Sequence, residues 1–291
     1  MANEYAILTD VTVDLPAELL KTLGIPALPM PFTIDGDNYI HYADFRDISP
    51  GDFYKKLREG ATAATSQVTY ASYMEYFTPV LEAGKDILFI AFSSALSGNY
   101  QGSVVAAKEL MEKYPARKII TVDTLAASSG EGMLVYYAAR KKEEGYSLEA
   151  LATWLEENKL SMCHWFTVDD LGFLRRGGRI SATSATIGSM LRIKPVMHVD
   201  NAGRLIPMQK VRGRKKALRR LCEFAAQTGV NIKEQTIFIC QADARDEAEF
   251  LANMIKEATD VSEIIITDIG PIIGAHAGPG TISVFFFGKA R

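Results

Sequence analysis

Residues 86–114 read DILFIAF, then SSALSGNYQG, then SVVAAKELMEKY, and the three pieces follow different rules. After Asp86 the first piece is apolar without alternation, as in a strand covered on both faces. The second is small and polar. From Ser103 onward apolar residues return at helical spacing. Strand, loop and helix in that order make a crossover unit of a parallel sheet. The flanking sequence repeats the unit. YAILT (5–9) is a short apolar strand ending at Asp10; Asp14 then offers an N-cap, Pro16 suits a first helical turn and Gly24 can end the helix. SPGDFYKKLREG (49–60) has Ser49 as cap and Gly60 as stop. KIITVDT (118–124) is β-branched, and the helical EGMLVYYAARKKEEG (131–145) follows it. The expectation for residues 1–160 is a Rossmann-like, three-layer α/β domain with a parallel sheet. Ligands of such sheets bind beyond the carboxyl ends of the strands. Asp10 and Thr12, Ser93 to Ser97, and Asp123 to Ser129 fall there.

The character changes near residue 160. MCHWFTV (162–168) reads as a strand and leads into DDLGFLRRGGRISATSATIG (169–188). IKPVMHVDNAGRLIPMQKV (193–211) reads as a hairpin turning at Asn201-Ala202-Gly203. A helix (213–229), a strand (236–242), a second helix (244–258) and a strand (263–270) follow. Residues 161–291 are therefore expected to form a second α/β domain with a mixed sheet. A chain of 291 residues is long for one ordinary domain. No internal repeat or low-complexity linker divides it.

At 48% hydrophobic and 23% charged residues, the composition is that of a globular protein. Cys163, Cys222 and Cys240 are odd in number, far apart and without a CxxC pair, which argues against a disulfide framework or a thiolate metal site. No HExxH or paired-histidine spacing suggests a metal. The opening MANEYAILTD lacks a basic and an apolar signal region, and no apolar run approaches the roughly 18–20 residues of a membrane span. A soluble cytoplasmic protein without stable membrane insertion is expected.

Charge is unevenly spread. Residues 171–222 hold thirteen Lys/Arg and one acid, a net +12, while the remainder holds 19 basic and 34 acidic residues, a net −15. Such a block suits a solvated helix face, an anionic ligand or an acidic partner surface. Nucleic acid is disfavoured, because no aromatic-interleaved or helix-turn-helix signature accompanies the charge. Nucleotide cradles of the G-x-x-x-x-G-K-[ST] and G-x-G-x-x-G kinds are missing. Ser94, His276 and Asp123 supply the groups of a hydrolase triad, yet SSALSG is not the G-x-S-x-G elbow. What remains is a set of hydroxyls without an activating base: Thr65 and Ser66, then Ser93, Ser94 and Ser97. His276 stands among the glycines of IGPIIGAHAGPG (269–280). Hydroxyls, an imidazole and glycine N–H groups together can hold a carboxylate without covalent chemistry.

Six stretches in order carry a resemblance. ILTDVTVDLP resembles TDSTxDLP, and TSQVT resembles TSQPS. SSALSGNYQGS resembles SSxLSGTYQSA, and VDTLAASSGEG resembles VDSxxxSxGxG. LGFLRRGGRIS with LRIKPV resembles LxxLxxGGRIS followed by LxIKPI, and IGPIIGAHAGPG resembles IGPVIGxHxGPG. Together they cover almost the whole chain and are similar to the DegV family of fatty-acid-binding proteins. The resemblance implies a two-domain α/β fold that holds one long-chain fatty acid, such as palmitate, in a tunnel between the domains. It implies no catalysis by the chain alone and no cofactor or metal. The bound acid is presented to a separate fatty acid kinase, which makes an acyl phosphate for lipid metabolism. Carried over, the carboxylate would meet Thr65, Ser66, Ser93, Ser94 and His276, with Ser97 and Gly278 in support. If the acid is handed to a kinase, a positive rim that includes Arg175, Arg176, Arg179, Lys215 and Arg219 of the basic block would suit an acidic docking surface. Met30, Phe32, Phe92, Phe166, Met190, Ile272 and Phe285 are candidates for the tunnel wall. Two other classes remain: an independent lipid hydrolase or acyltransferase using Ser94 and His276, and a regulatory docking protein using the 171–222 block.

Overall fold

The computed structural model describes residues 4–181 and 193–291. β1 (Tyr5–Asp10) runs into a 3-10 turn at Val11–Val13 and then α1 (Ala17–Leu23), which Gly24 ends with a φ of 65°. β2 (Ala27–Leu28) lies beside β1. β3 (Met30–Ile34) and β4 (Asp37–His41) form a hairpin, α2 (Pro50–Arg58) follows with Ser49 capping the Asp52 N–H, and β5 (Ala63–Thr65) returns to pair with β3. This small antiparallel sheet, ordered β4-β3-β5, is absent from the sequence reading. Its strands are at most five residues long.

After α3 (Tyr70–Glu82) the crossover units continue: β6 (Asp86–Ala91), α4 (Asn99–Lys113), β7 (Ile119–Asp123), α5 (Ser129–Glu143) and α6 (Leu148–Asn158). The parallel sheet has the order β2-β1-β6-β7. Every residue of β6 is buried, as its unbroken apolar run requires. α3 packs with α4 and α5 with α6, and both pairs contact the sheet, giving the three layers.

The second sheet takes all its strands from the later chain. β8 (Met162–Thr167) is followed by α7 (Leu171–Arg176), β9 (Ile193–Val199), β10 (Leu205–Arg212), α8 (Arg214–Thr228) and β11 (Thr236–Gln241). α9 (Arg245–Thr259), β12 (Glu263–Asp268), α10 (Pro271–Ala277) and β13 (Ile282–Phe287) complete it. The order is β10-β9-β8-β13-β11-β12, antiparallel except for β11 against β12.

The pleat of this sheet sorts its residues by destination. Cys163, Trp165, Ile237, Ile239, Val284 and Phe286 face a core shared with α8 and α9. Met162, Phe238, Cys240 and Phe285 face the other way, into the core of the N-terminal half. α5 lies between, against β6 on one side and β8, β11 and β13 on the other. Ten of its fifteen residues are buried, and its charged, solvent-facing side chains fall in the last turn, residues 140–143.

Asp14 does not cap α1, whose N-cap is Pro16 without a side-chain bond. Asp14 is buried, accepts hydrogen bonds from the Ser128 hydroxyl and from the Gly270 N–H at 2.9 Å, and so ties the end of β1 to the turn before α10. A buried carboxyl demands such partners. Tyr54 Oη, which donates to the Ile269 carbonyl at 2.7 Å, adds a second tie between the halves.

Candidate functional site

Between the parallel and mixed sheets lies a cavity of about 320 Å³, inside the roughly 300–1,000 Å³ range of small-molecule sites. Its wall is drawn from both halves. Met30, Phe92, Phe166, Ile272 and Phe285, all expected in the wall, line it. Phe32 does not: it is buried against Tyr39 and Phe53 in the N-terminal core. Met190 lies outside the described residues.

Exposure grades along the cavity. At one end Ser66 and Gln67 are exposed, and Thr65, Ser97, Arg179 and His276 are half-buried. Away from it, Ser128, His164, Ser283 and Phe285 are buried. The half-exposed end is the mouth.

His276 sits near the end of α10, and its Nε2 is 2.8 Å from the Thr65 hydroxyl at the end of β5. Residues far apart in sequence thus meet because β5 closes the small sheet against α10. The imidazole's Nδ1 lies against Gly177, where a Cβ would come within about 2.1 Å of it. Only glycine there leaves room for the ring. Burial, and then the nearby Arg179 charge, lower the His276 pKa to about 4, so the ring is neutral at pH 7.

Arg179 directs Nε to the Leu96 carbonyl at 3.1 Å and Nη1 to the Gly177 carbonyl. Among the described residues it has no carboxylate partner. A partly desolvated guanidinium with only carbonyls for company favours an anion beside it. The sequence reading assigned Arg179 to a docking surface; the structure turns it inward to the cavity mouth.

Other expected residues lie off the wall. The Ser93 hydroxyl is fully buried and donates to the Gly203 carbonyl at 3.0 Å, fastening the β9–β10 turn. The Ser94 N–H donates to Asp123 Oδ1 at 3.1 Å, and its residue does not border the cavity. Gly278, with a φ of 77°, packs near the Phe173 ring instead. The triad of Ser94, His276 and Asp123 is not assembled. Asp123 accepts from backbone N–H groups of Ser94 and Leu125, while His276 faces Thr65 and its Nδ1 has no hydrogen-bond partner among the described residues.

The basic block divides. Lys194 and Arg214 pair with Asp169, Arg214 also with Glu247, and Arg220 with Glu223. Arg175, Arg176, Lys215 and Arg219 are exposed and have no ion pair among the described residues. Arg176 stacks over the Phe173 ring with its guanidinium 4.6 Å from the centroid.

Two features escaped the sequence reading. One is a buried acid cluster at the end of β1. Glu131 accepts from Thr9 and Thr12, and Asp10 from Thr12 and Asn99. Burial raises the pKa of Asp10, Asp14 and Glu131 alike. The other is His164, buried in the deep wall, whose pKa burial pushes well below the ordinary value.

Fold and cavity together put the chain among two-domain α/β proteins whose sheets enclose a cavity lined mainly by apolar side chains. The chain belongs to the DegV family: residues 4–289 match the family described as "Uncharacterised protein, DegV family". A DegV domain-containing protein of Clostridium perfringens is 47% identical over 289 residues, covering 99% of each chain. Among solved structures, a DegV family protein from Thermus thermophilus, described by its fatty acid binding, is 31% identical with a TM-score of 0.86 over 98% of this chain and 99% of that one. A fatty acid binding DegV family protein from Streptococcus agalactiae is 29% identical with a TM-score of 0.85, over 99% of this chain and 100% of that one. Among the described residues no helix is long and apolar enough to cross a membrane.

Proposed function

We propose that this chain binds one long-chain fatty acid, its tail in the cavity and its carboxylate at the mouth, and presents that carboxylate to a separate fatty acid kinase. The observation that carries the reading is Arg179 at the half-exposed end of the cavity, beside the Thr65–His276 pair and without a carboxylate partner among the described residues. Ser66 and Ser97 add hydroxyls at the same end.

The energetics agree. About fifteen methylenes moved out of water contribute roughly 12 kcal/mol at about 0.8 kcal/mol each. Association and ordering cost about 4–15 kcal/mol, which leaves a tight but reversible complex. A carboxylate taken from water without hydrogen bonds would cancel much of that gain, and the mouth supplies the donors. A half-exposed mouth leaves the carboxylate within reach of a second protein. The exposed Arg175, Arg176, Lys215 and Arg219 would serve as the docking rim, complementary to an acidic kinase surface.

Native mass spectrometry of the purified chain, followed by lipid extraction, tests the first half. One fatty acid per chain is expected. Empty protein that also fails to take up palmitate or oleate would overturn the reading. Acyl phosphate formation in a mixture with a cognate kinase tests the second half.

A further inference from the structure

His164 lies on β8 opposite Phe285 of β13, with their rings edge to face at 5.3 Å between centroids. It is 1% exposed and lines the deep part of the cavity. Among the described residues neither ring nitrogen has a hydrogen-bond partner of ordinary geometry. The Met162 backbone approaches the ring as a weak hydrogen-bond partner that raises its pKa slightly against the effect of burial, but the contact lies outside ordinary hydrogen-bond geometry. The ring is also held where it is. A Cβ at residue 130 would come within about 2.1 Å of Nε2, so the glycine at the start of α5 is what admits an imidazole here. Phe166, the next residue on the same face of β8, and Phe285 across from His164 are both apolar, and a third aromatic at 164 would complete an ordinary hydrophobic wall. A neutral imidazole instead offers one donor and one acceptor. Leaving either unpaired in a dry site is costly.

The mouth groups are elsewhere. Thr281 lines the cavity where β13 begins, and its hydroxyl bonds to the Ala277 carbonyl, one residue from His276. Phe285 stands four residues further along that strand, about 13 Å at roughly 3.3 Å per residue. A ligand with its carboxylate at His276 therefore passes His164 well down its chain.

We propose that His164 is a second polar station in the cavity, which selects acyl chains carrying a hydroxyl group on a carbon remote from the carboxylate. This inference rests on the fatty-acid reading above and names a substrate class within it. A hydroxyl both donates and accepts, so it pairs with the imidazole in either tautomer. A methylene pairs with neither nitrogen. The buried Ser283 hydroxyl, also on the wall, is close by in the strand order, opposite Phe166.

The test is a binding comparison on the delipidated full-length chain. Stearate is compared with hydroxystearates whose hydroxyl is placed at several positions along the chain, using wild type and His164→Phe. At least one positional isomer should bind wild type more tightly than stearate, by roughly 2- to 12-fold, the range of one neutral hydrogen bond. In His164→Phe the ratio of hydroxystearate to stearate affinity should fall to one or below, whatever the change in stearate affinity itself. No isomer exceeding stearate in wild type would mean that the ring nitrogens are served by fixed water, and the proposal falls. It falls equally if the preference survives in His164→Phe. The wild-type comparison stands by itself should the variant fail to fold. Failure of stearate and every hydroxystearate to bind wild type overturns the fatty-acid reading, and the station with it.

Discussion

Replacing Arg179 with methionine separates the charge at the mouth from the shape of the cavity. Methionine keeps much of the side-chain length and apolar stem but carries no guanidinium. Two unit charges about 4 Å apart interact by about 4 kcal/mol at an effective dielectric near 20. Arg179 is only half-buried, so solvent screens part of that. Hydrogen bonds to charged groups contribute about 1.5–3 kcal/mol in practice, which is roughly 10- to 150-fold in affinity. The variant also loses the bonds to the Leu96 and Gly177 carbonyls, so its thermal midpoint must be measured beside its affinity. The assay is displacement of a fluorescent fatty acid, run with palmitate and with the corresponding fatty alcohol. Wild type should prefer the acid. Arg179→Met should lose 10- to 150-fold for the acid and little for the alcohol. If acid and alcohol weaken together, the substitution has damaged the cavity and the charge argument is unsupported. If the acid binds the variant as it binds wild type, the carboxylate does not sit beside Arg179, and the placement of the mouth is refuted.

Three further outcomes follow from the same geometry. The His276 imidazole should titrate near pH 4 in empty protein by NMR and move upward on loading, because a neighbouring carboxylate favours the protonated ring; an unmoved titration would remove His276 from the head-group site. Burial pushes the His41 pKa down to about 3, so the stability it confers is present above the unfolded pKa near 6.5 and is lost as pH falls toward 3. The destabilisation caused by His41→Gln should therefore shrink by up to about 2.7 kcal/mol between pH 7 and pH 4.5, read by denaturant melts; the buried acids act in the opposite sense but cancel in the difference between the two proteins. Arg176→Glu, or Lys215→Glu with Arg219→Glu, should cut kinase-dependent acyl phosphate formation steeply while fatty acid binding stays intact, and wild-type turnover should fall as salt rises; parallel loss of binding would show that these residues belong to the cavity instead.

Where periodicity and turn chemistry act locally, the sequence was a good guide. The apolar run of β6, the serine before α2, the glycine after α1 and the hairpin turn at 201–203 all depend on a few adjacent residues. What it hid depends on distant partners. Asp14 has the form of a helix cap, and becomes a buried link to Gly270 only because α10 packs against the start of the chain. Arg179 sits in a run of cations whose composition suggests a surface. Nothing in that run says which of them faces inward until α7 and α10 meet. The Thr65–His276 contact spans 211 residues and has no local signature at all. Ser93 and Ser94 share a motif with Ser97, and only the fold distinguishes the serine that lines the cavity from those that fasten turns.

The shared core gives the proposed cargo a structural consequence. Phe238, Cys240 and Phe285 of the mixed sheet are part of the same cluster as the parallel sheet's own core, and the cavity interrupts that cluster between them. An apolar tail there would contact residues of both halves at once, as a core side chain does. Its binding free energy then adds to the cohesion of the halves: a ligand at about one hundred times its Kd stabilises the folded chain by about 2.7 kcal/mol. Release must spend that cohesion again, and the ties at the end of β1 bear on how. Asp14 on Gly270 and Tyr54 on Ile269 hold the turn that carries His276 against the N-terminal half. With those ties intact the halves would stay closed around a tail held as proposed, leaving the mouth as the part of the ligand site open to a partner. A chain built this way would offer its head group without exposing its tail. That division suits chemistry performed on the carboxylate by another protein better than free exchange of the whole acid with water.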